Sequence, residues 1–322
     1  MRIGPFLTSL IFGCVLTSAV IADEYPSRPI KLIVAFTPGG TTDITARLIA
    51  DKTQRILGQA IAVENKPGAS GAVAAQYVAQ SDADGYTLFF STVGAIAINP
   101  AFRSDLGYDA LKDFAAVGKA AINSPVLVVN PAMKANSARE FASLAHGRPG
   151  AITIGITGRG AMSDLGLQLF ESDAGITVQS VPYRGAAQAI TDILANHLDG
   201  LVGDVPTVMV QVQAGHLKAL GTTSRQRSEI LPDVPTFAEQ GFTETIGDNW
   251  AGVLAPAATP QDAIKKFNAA LVAALNDPDL RQRLREIGTT PAPSSPGEFA
   301  DYMRTEIAHW RAVIKQKGLK GE

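Results

Sequence analysis

The hydrophobic pattern of the chain repeats one local order. An apolar run over residues 30–36, interrupted only by Lys31, is read as a buried strand. It passes into a glycine-containing turn and then into Ile44, Leu48, Ile49 and Ile56 at helical spacing, stopped by Gly58. The order recurs as a strand over 61–64, a glycine loop over 65–71 and a small-residue helix over 72–80. A strand over 86–91 follows the turn Asp84-Gly85, and Asn99-Pro100 ends that segment. Strands are expected over 117–121 and 125–129, with Asn123-Ser124 between them as a crossing to a second domain. There the style repeats: a strand over 152–156, a glycine loop over 157–163, and a helix over 164–172 with Leu165, Leu169 and Phe170 inward. A strand over 177–181, a helix over 186–194 and strands over 198–202 and 217–221 complete that domain. A short helix over 236–240 precedes a strand over 250–255 that returns to the first domain. The tail is three helices, over 260–276 (with Thr259 as its cap), 279–287 and 296–317.

Two successive strand–loop–helix units on a parallel sheet place both glycine loops at the carboxyl ends of strands, where open α/β sheets bind ligands. In the first loop, Gly39 and Gly40 let backbone approach a ligand, and the first N–H groups of the following helix lack intrahelical acceptors. Such a corner suits a carboxylate or phosphate. The alternative is an ordinary βα turn with Thr41 or Thr42 as N-cap and Asp43 opposing the helix dipole. Ser91 and Thr92 arrive at the same sheet edge, where their hydroxyls either bind a ligand or cap the next turn. Neither first-domain loop carries a phosphate-loop or dinucleotide signature. Gly158-x-Gly160 in the second domain superficially matches one, but Ser163 stands at the third glycine position and no acid follows the next strand.

Composition narrows the classes further. Residues 1–22 have the form of a cleaved signal peptide, with Arg2, an apolar core over 6–20 and a small-residue cleavage site before Asp23. A less favoured reading takes residues 11–14 as a lipoprotein box that would tether the protein through Cys14. The chain is expected to be exported to the periplasm. Cys14 is the single cysteine of the sequence, so the processed protein has no thiol chemistry, and about 300 residues bury a core without disulfides. The 4 histidines, His146, His197, His216 and His309, are scattered, so no metal site or cofactor is expected. A net charge of -2 and the lack of a basic tract exclude nucleic acid as a partner.

An ordered set of motifs along the mature chain resembles the tripartite tricarboxylate transporter receptor family, the periplasmic "Bug" binding proteins. The set begins with Tyr25-Pro26-x-Arg28-Pro29-Ile30, Pro38-Gly39-Gly40-x-x-Asp43 and Glu64-Asn65-Lys66-Pro67-Gly68-Ala69-x-Gly71. It continues with Asp84-Gly85-Tyr86-Thr87-Leu88, Ile98-Asn99-Pro100, Val181-Pro182-Tyr183-x-Gly185 and Leu231-Pro232-Asp233-Val234-Pro235-Thr236. The resemblance implies an α/β, two-lobed type II periplasmic-binding-protein fold, each lobe a mostly parallel sheet flanked by helices, with the ligand cleft between lobes. Residues 23–122 and 247–322 would form lobe 1 and residues 123–246 lobe 2. It also implies a monomeric, non-catalytic receptor that captures a small carboxylate (a di- or tricarboxylate, an amino acid or an aromatic carboxylate) and delivers it to a two-component membrane permease. Carried over by position, Phe36, Thr37, Pro38, Gly39, Gly40 and Asp43 with Ala69, Ser70 and Gly71 would serve the ligand from the first lobe. Thr157, Gly158, Arg159, Gly160 and Ser163, with Tyr183, Arg184, Gly185 and Asp204, would serve it from the second.

Three positions depart from the family pattern. Gly203 stands where an acid is common and the acid comes one position later, at Asp204, which on a period-two strand would face the opposite way. Ala251 replaces an aromatic after Trp250. Arg159 replaces a polar residue, and is either solvated or placed to pair bidentately with a second carboxylate across the cleft. Asp43 is expected to support its loop without touching a bound carboxylate, since like charges repel in a dry site. Two other classes fit the sequence less well or no better. An exported hydrolase is disfavoured because Gly68-Ala69-Ser70-Gly71 lacks nucleophile-elbow spacing. A sensor subunit would share the lobes and differ only in its partner.

Overall fold

A computed structural model describes residues 24–320. In chain order the elements begin with β1 (Ile30–Val34), α1 (Thr41–Leu57), β2 (Ile61–Asn65), α2 (Ala72–Ala79), β3 (Thr87–Thr92), α3 (Asn99–Phe102) and β4 (Phe114–Asn123). Then come β5 (Pro125–Val129), α4 (Ala138–His146), β6 (Thr153–Ile156), α5 (Met162–Ala174), β7 (Gln179–Pro182), α6 (Ala186–Leu194), β8 (Gly200–Asp204), α7 (Val205–Gln213) and β9 (Lys218–Thr222). The chain closes with β10 (Asn249–Pro256), α8 (Gln261–Asn276), α9 (Pro278–Glu286), β11 (Thr289–Pro291) and α10 (Pro296–Lys317). Two sheets result, a six-stranded one ordered β11-β4-β10-β3-β1-β2 and a five-stranded one ordered β7-β6-β8-β5-β9. Only Ser124 separates β4 in the first sheet from β5 in the second.

The sheets are mixed, which corrects the expectation of mostly parallel ones. β1 pairs in parallel with β2 and β3, and β6 with β7 and β8, as successive βα units require. β10 runs antiparallel to β3 and β4, and β5 antiparallel to β8 and β9. Both β5 and β10 enter their sheet from the other lobe, so they cross the βα strands head-on.

Helices cover both faces of each sheet. Along β3, Leu88 and Phe90 face the core beneath α1 and α8, while Phe89 faces Trp250 and Phe299 on the other side. The same two-sided burial makes Leu32, Ile33 and Val34 of β1 consecutive apolar residues. The second lobe is built the same way. Phe141 and Phe170 fill one face, and Ile190, Ile193 and Val208 fill the other.

Four elements, α3, α4, α7 and β11, were not expected. α4 has Ser137 as N-cap, accepting from the Glu140 N–H, with Phe141 buried behind it. α7 starts where a strand end was read, with Pro206 in its first turn, a position that needs no N–H. β11 pairs antiparallel with β4 and is three residues long. Asn99-Pro100 does not end its segment but opens α3, again with proline in the first turn. The caps also differ from expectation. Gly40, not Thr41 or Thr42, caps α1, and Pro260, not Thr259, caps α8.

Candidate functional site

The first loop is set by Asp43, the third residue of α1. Its Oδ2 accepts the Gly39 N–H at 2.9 Å, and its Oδ1 accepts Arg47 Nε and Asn65 Nδ2, each at 2.9 Å. Asn65, at the end of β2, also donates to the Phe36 carbonyl at 2.9 Å, so one carboxylate joins both first-lobe loops. Burial alone would raise the Asp43 carboxyl. The hydrogen bonds from Arg47, Gly39 and Asn65 together outweigh it and hold the group below the usual carboxylate range. The second lobe repeats the device: Asp164, third residue of α5, accepts the Gly160 N–H at 2.8 Å. Its partner is Arg159, whose Nη1 lies 3.4 Å from Oδ1. Here burial dominates and raises the Asp164 carboxyl.

The two loops face each other across a cavity of about 40 Å³. Phe36, Thr37, Gly40, Thr41, Thr42 and Thr92 line it from the first lobe, with Asn249 at the start of β10. Thr157, Ala161, Met162 and Ser163, the Gly185-Ala186 pair, and Asp204 with Thr207 line it from the second. The starts of four helices, α1, α5, α6 and α7, therefore meet at one space. Their N-cap residues are Gly40, Ala161, Gly185 and Asp204, and none makes a side-chain cap bond. Of the helices that start away from the cavity, α4, α9 and α10 are closed by Ser137, Asp277 and Ser295, while α2, α3 and α8 also lack a side-chain cap bond but do not converge on a shared space. The positive ends of four macrodipoles are thus directed at the cavity, a setting for an anion. At α7 the Val205 N–H is given to the Ser124 carbonyl at 3.1 Å and Pro206 has none, so the free N–H groups come mainly from α1, α5 and α6.

Asp204 is the acid in this wall. Asn249 Nδ2 donates to its Oδ2 at 2.7 Å, and burial pushes its carboxyl up to about 6 against that bond. Asp204 thus lines the cavity as its carry-over by position implies, and the strand alternation that would turn it away does not extend to it. A methyl group on Gly203 would meet Leu201 Cδ2 at 3.1 Å and Val208 Cγ1 at 3.4 Å, inside the lobe. It is the neighbouring position, 204, that reaches the cavity. Ala251 is buried beneath α1 and α8, so its replacement of an aromatic does not bear on the cleft.

A second cavity of about 250 Å³ adjoins the first, sharing Phe36 and Thr157 with it. Gly68, Ala69, Ser70, Asn99 and Arg103 line it on one side, Gly158, Arg159, Pro182, Tyr183 and Arg184 on the other. Arg159 reaches this second cavity with its side chain 36% exposed, and is also tied to its own lobe. Nη1 donates to Ser180 Oγ at 2.7 Å and Nη2 to the Ser180 carbonyl at 3.3 Å, so the guanidinium lies against its own lobe beside Asp164. A buried carboxylate needs a charged partner, and that demand holds the arginine back from the first cavity. The Tyr183 hydroxyl is likewise committed, donating to Asp192 Oδ2 at 2.7 Å.

Several predicted site residues touch neither cavity. Pro38 and Gly39 are exposed on the outer side of their turn, and Asp43 is 3% exposed, with its oxygens committed within the loop. Ser91 is fully buried, donating to the Gly252 carbonyl at 3.4 Å. Gly71 and Gly160 are needed for space and backbone angle. A methyl group on Gly71 would meet Ala95 Cβ at 2.8 Å, and Gly160 has φ +76°. Thr41, Thr42, Ala161 and Met162 fall within the stretches 36–43 and 157–163 expected to serve the ligand, while Ala186, Thr207 and Asn249 were missed by the sequence reading. No local signal marked Asn249.

The lobes are in contact. Ser70 Oγ donates to the Arg159 carbonyl, and Thr37 Oγ1 lies 3.5 Å from the Arg184 carbonyl. Glycines permit this approach. A methyl group on Gly158 would lie 2.6 Å from Ser70 Oγ, and one on Gly185 would lie 2.7 Å from Thr37 Oγ1. Among the described residues no group of three histidines, cysteines or acids could hold a metal ion, and no helix is long and apolar enough to cross a membrane.

Two lobes around an interlobe cleft of helix starts define the class of periplasmic solute-binding receptors, which are not enzymes. Residues 45–319 match the family described as Tripartite tricarboxylate transporter family receptor. The protein BugT of Bordetella pertussis is 33% identical over 306 residues, covering 95% of this chain and 94% of that one. An R. palustris protein solved with adipate superposes with TM-score 0.88 at 33% identity, covering 92% of this chain and 99% of the other. MatC from Rhodopseudomonas palustris with bound malate gives TM-score 0.85 at 29% identity, covering 90% and 100%. The chain belongs to the tripartite tricarboxylate transporter receptor family, whose members are periplasmic.

Proposed function

We propose that this receptor takes the carboxylate group of a small solute into the 40 Å³ cavity, closes its lobes over it, and passes the solute to a two-component membrane permease. The observation that carries the reading is the set of four helix starts, α1, α5, α6 and α7, left without side-chain caps around one space. Backbone N–H groups there replace the hydration of a carboxylate with fixed donors, and exclusion of water strengthens each bond. Hinge closure brings the second lobe's donors onto a ligand first held by Gly40, Thr41 and Thr42. The adipate and malate held by its structural relatives support a carboxylate as the ligand class. Export through a cleaved segment over residues 1–22 belongs to the same proposal and lies outside the described residues. The test is a thermal-shift screen of carboxylates on the mature protein, with matched primary amides as controls. A ligand at 100 times its Kd should stabilise the protein by about 2.7 kcal/mol. If no carboxylate raises Tm above its amide, the reading fails.

A further inference from the structure

We infer that the ligand is a zwitterion, one carboxylate on the helix starts and one protonated amine against Asp204; the inference rests on the carboxylate reading above. Aspartate is a preferred N-cap because its side chain accepts a backbone N–H of the first turn. Asp204 holds the N-cap position of α7, yet its side chain makes no such bond. The carboxylate is turned instead to the cavity, where Asn249 Nδ2 is its hydrogen-bond donor at 2.7 Å. Thr207, one turn on, gives its hydroxyl to the Asp204 carbonyl at 2.8 Å and leaves the carboxylate alone.

The charge around it decides what the ligand can be. Among the described residues, no lysine, arginine or histidine lines this cavity, and Asp204 is its one charged side chain. The facing groups on α1, α5 and α6 are threonines, a serine, glycines, alanines and a methionine. Arg103, Arg159 and Arg184 line the adjoining cavity and not this one, and Arg159 is held there by Ser180 and Asp164. A half-buried carboxylate with a single amide donor is under-compensated, and a second ligand carboxylate beside it would add like-charge repulsion. A ligand ammonium supplies the missing positive charge and donors at that end, while the helix starts take the ligand's carboxylate.

The experiment is calorimetric titration of the mature full-length receptor. The probes are unbranched monocarboxylates of two to six carbons, their 2-amino, terminal-amino and 2-hydroxy derivatives, and dicarboxylates of the same lengths. An amino derivative should bind at least tenfold tighter than its unsubstituted parent, its hydroxy counterpart and the dicarboxylate of equal length. Asp204→Asn should reduce that preference to threefold or less, with dicarboxylates bound at least as tightly as by wild type. A hydroxy acid or dicarboxylate binding tightest to wild type overturns the inference and leaves carboxylate capture standing. So does an amine preference that survives in Asp204→Asn. Binding by none of the probes overturns both. The wild-type ranking decides even if the variant does not fold.

Discussion

At the scale of single residues, three aspartates show how position sets the role of one side chain. Asp43 and Asp164 stand third in their helices and each takes the N–H of the glycine four residues before. Both shape a loop and leave its other N–H groups for a ligand. Asp204 has neither a first-turn N–H nor a cationic side chain beside it, so its carboxyl titrates near 6, above the ordinary value of 3.8. An acid whose folded pKa is raised binds more protons folded than unfolded, so its contribution to stability declines as pH rises from about 4 to about 6. Removing the charge should therefore stabilise the unliganded protein at neutral pH. Unliganded Asp204→Asn is expected to exceed wild type by about 1–3 kcal/mol at pH 7.5 and to match it near pH 4. Chemical denaturation at both pH values checks this; a variant less stable than wild type at pH 7.5 would refute the strained carboxylate.

At the scale of elements, α10 and α5 show two ways a helix start can be used. Ser295 and Glu298 form a full capping box on α10, far from the cleft. Ser295→Ala should cost about 1 kcal/mol of stability and leave ligand affinity unchanged. Ser163 in the first turn of α5 is different. Its hydroxyl accepts the Thr157 N–H at 2.9 Å, and its side chain lines the cavity. Ser163→Asp would place a fixed negative charge where the proposed ligand carboxylate sits, satisfying the helix start internally. Carboxylate binding by calorimetry should fall at least 100-fold with little change in unliganded Tm. A loss under threefold would mean the α5 start does not receive the carboxylate.

At the scale of the whole molecule, lobe approach depends on missing side chains. Gly185 has φ 175°, which any residue adopts, so substitution there tests space and not backbone strain. Its added methyl would stand 2.7 Å from Thr37 Oγ1 across the cleft. Gly185→Val should hold the lobes apart, increase the radius of gyration of the liganded state in solution scattering, and weaken binding at least tenfold. Unliganded stability should change little, because the open form has no such contact. Wild-type affinity in this variant would show that closure does not bring Gly185 against Thr37.

Sequence alone determined much of this molecule. The strand–glycine loop–helix order at residues 30–57 and 152–172, the limits of α6 and α10, and the family motifs all lie in local pattern. The reason is that apolar period, helix stops and turn glycines act over a few residues. The mixed sheets, the α7 start and the second-lobe wall were decided by tertiary structure. β5 and β10 have no local mark of direction; it follows from which lobe the chain has just left. Arg159 could not be placed from its own loop, because Ser180, 21 residues away, and a buried Asp164 hold it. Asp204 lines the cavity, as its carry-over by position implies and strand alternation does not, because alternation ends at the residue where α7 begins. There the backbone changes from strand to helix, and the direction of a side chain is set by the helix start and by Asn249, 45 residues further along the chain.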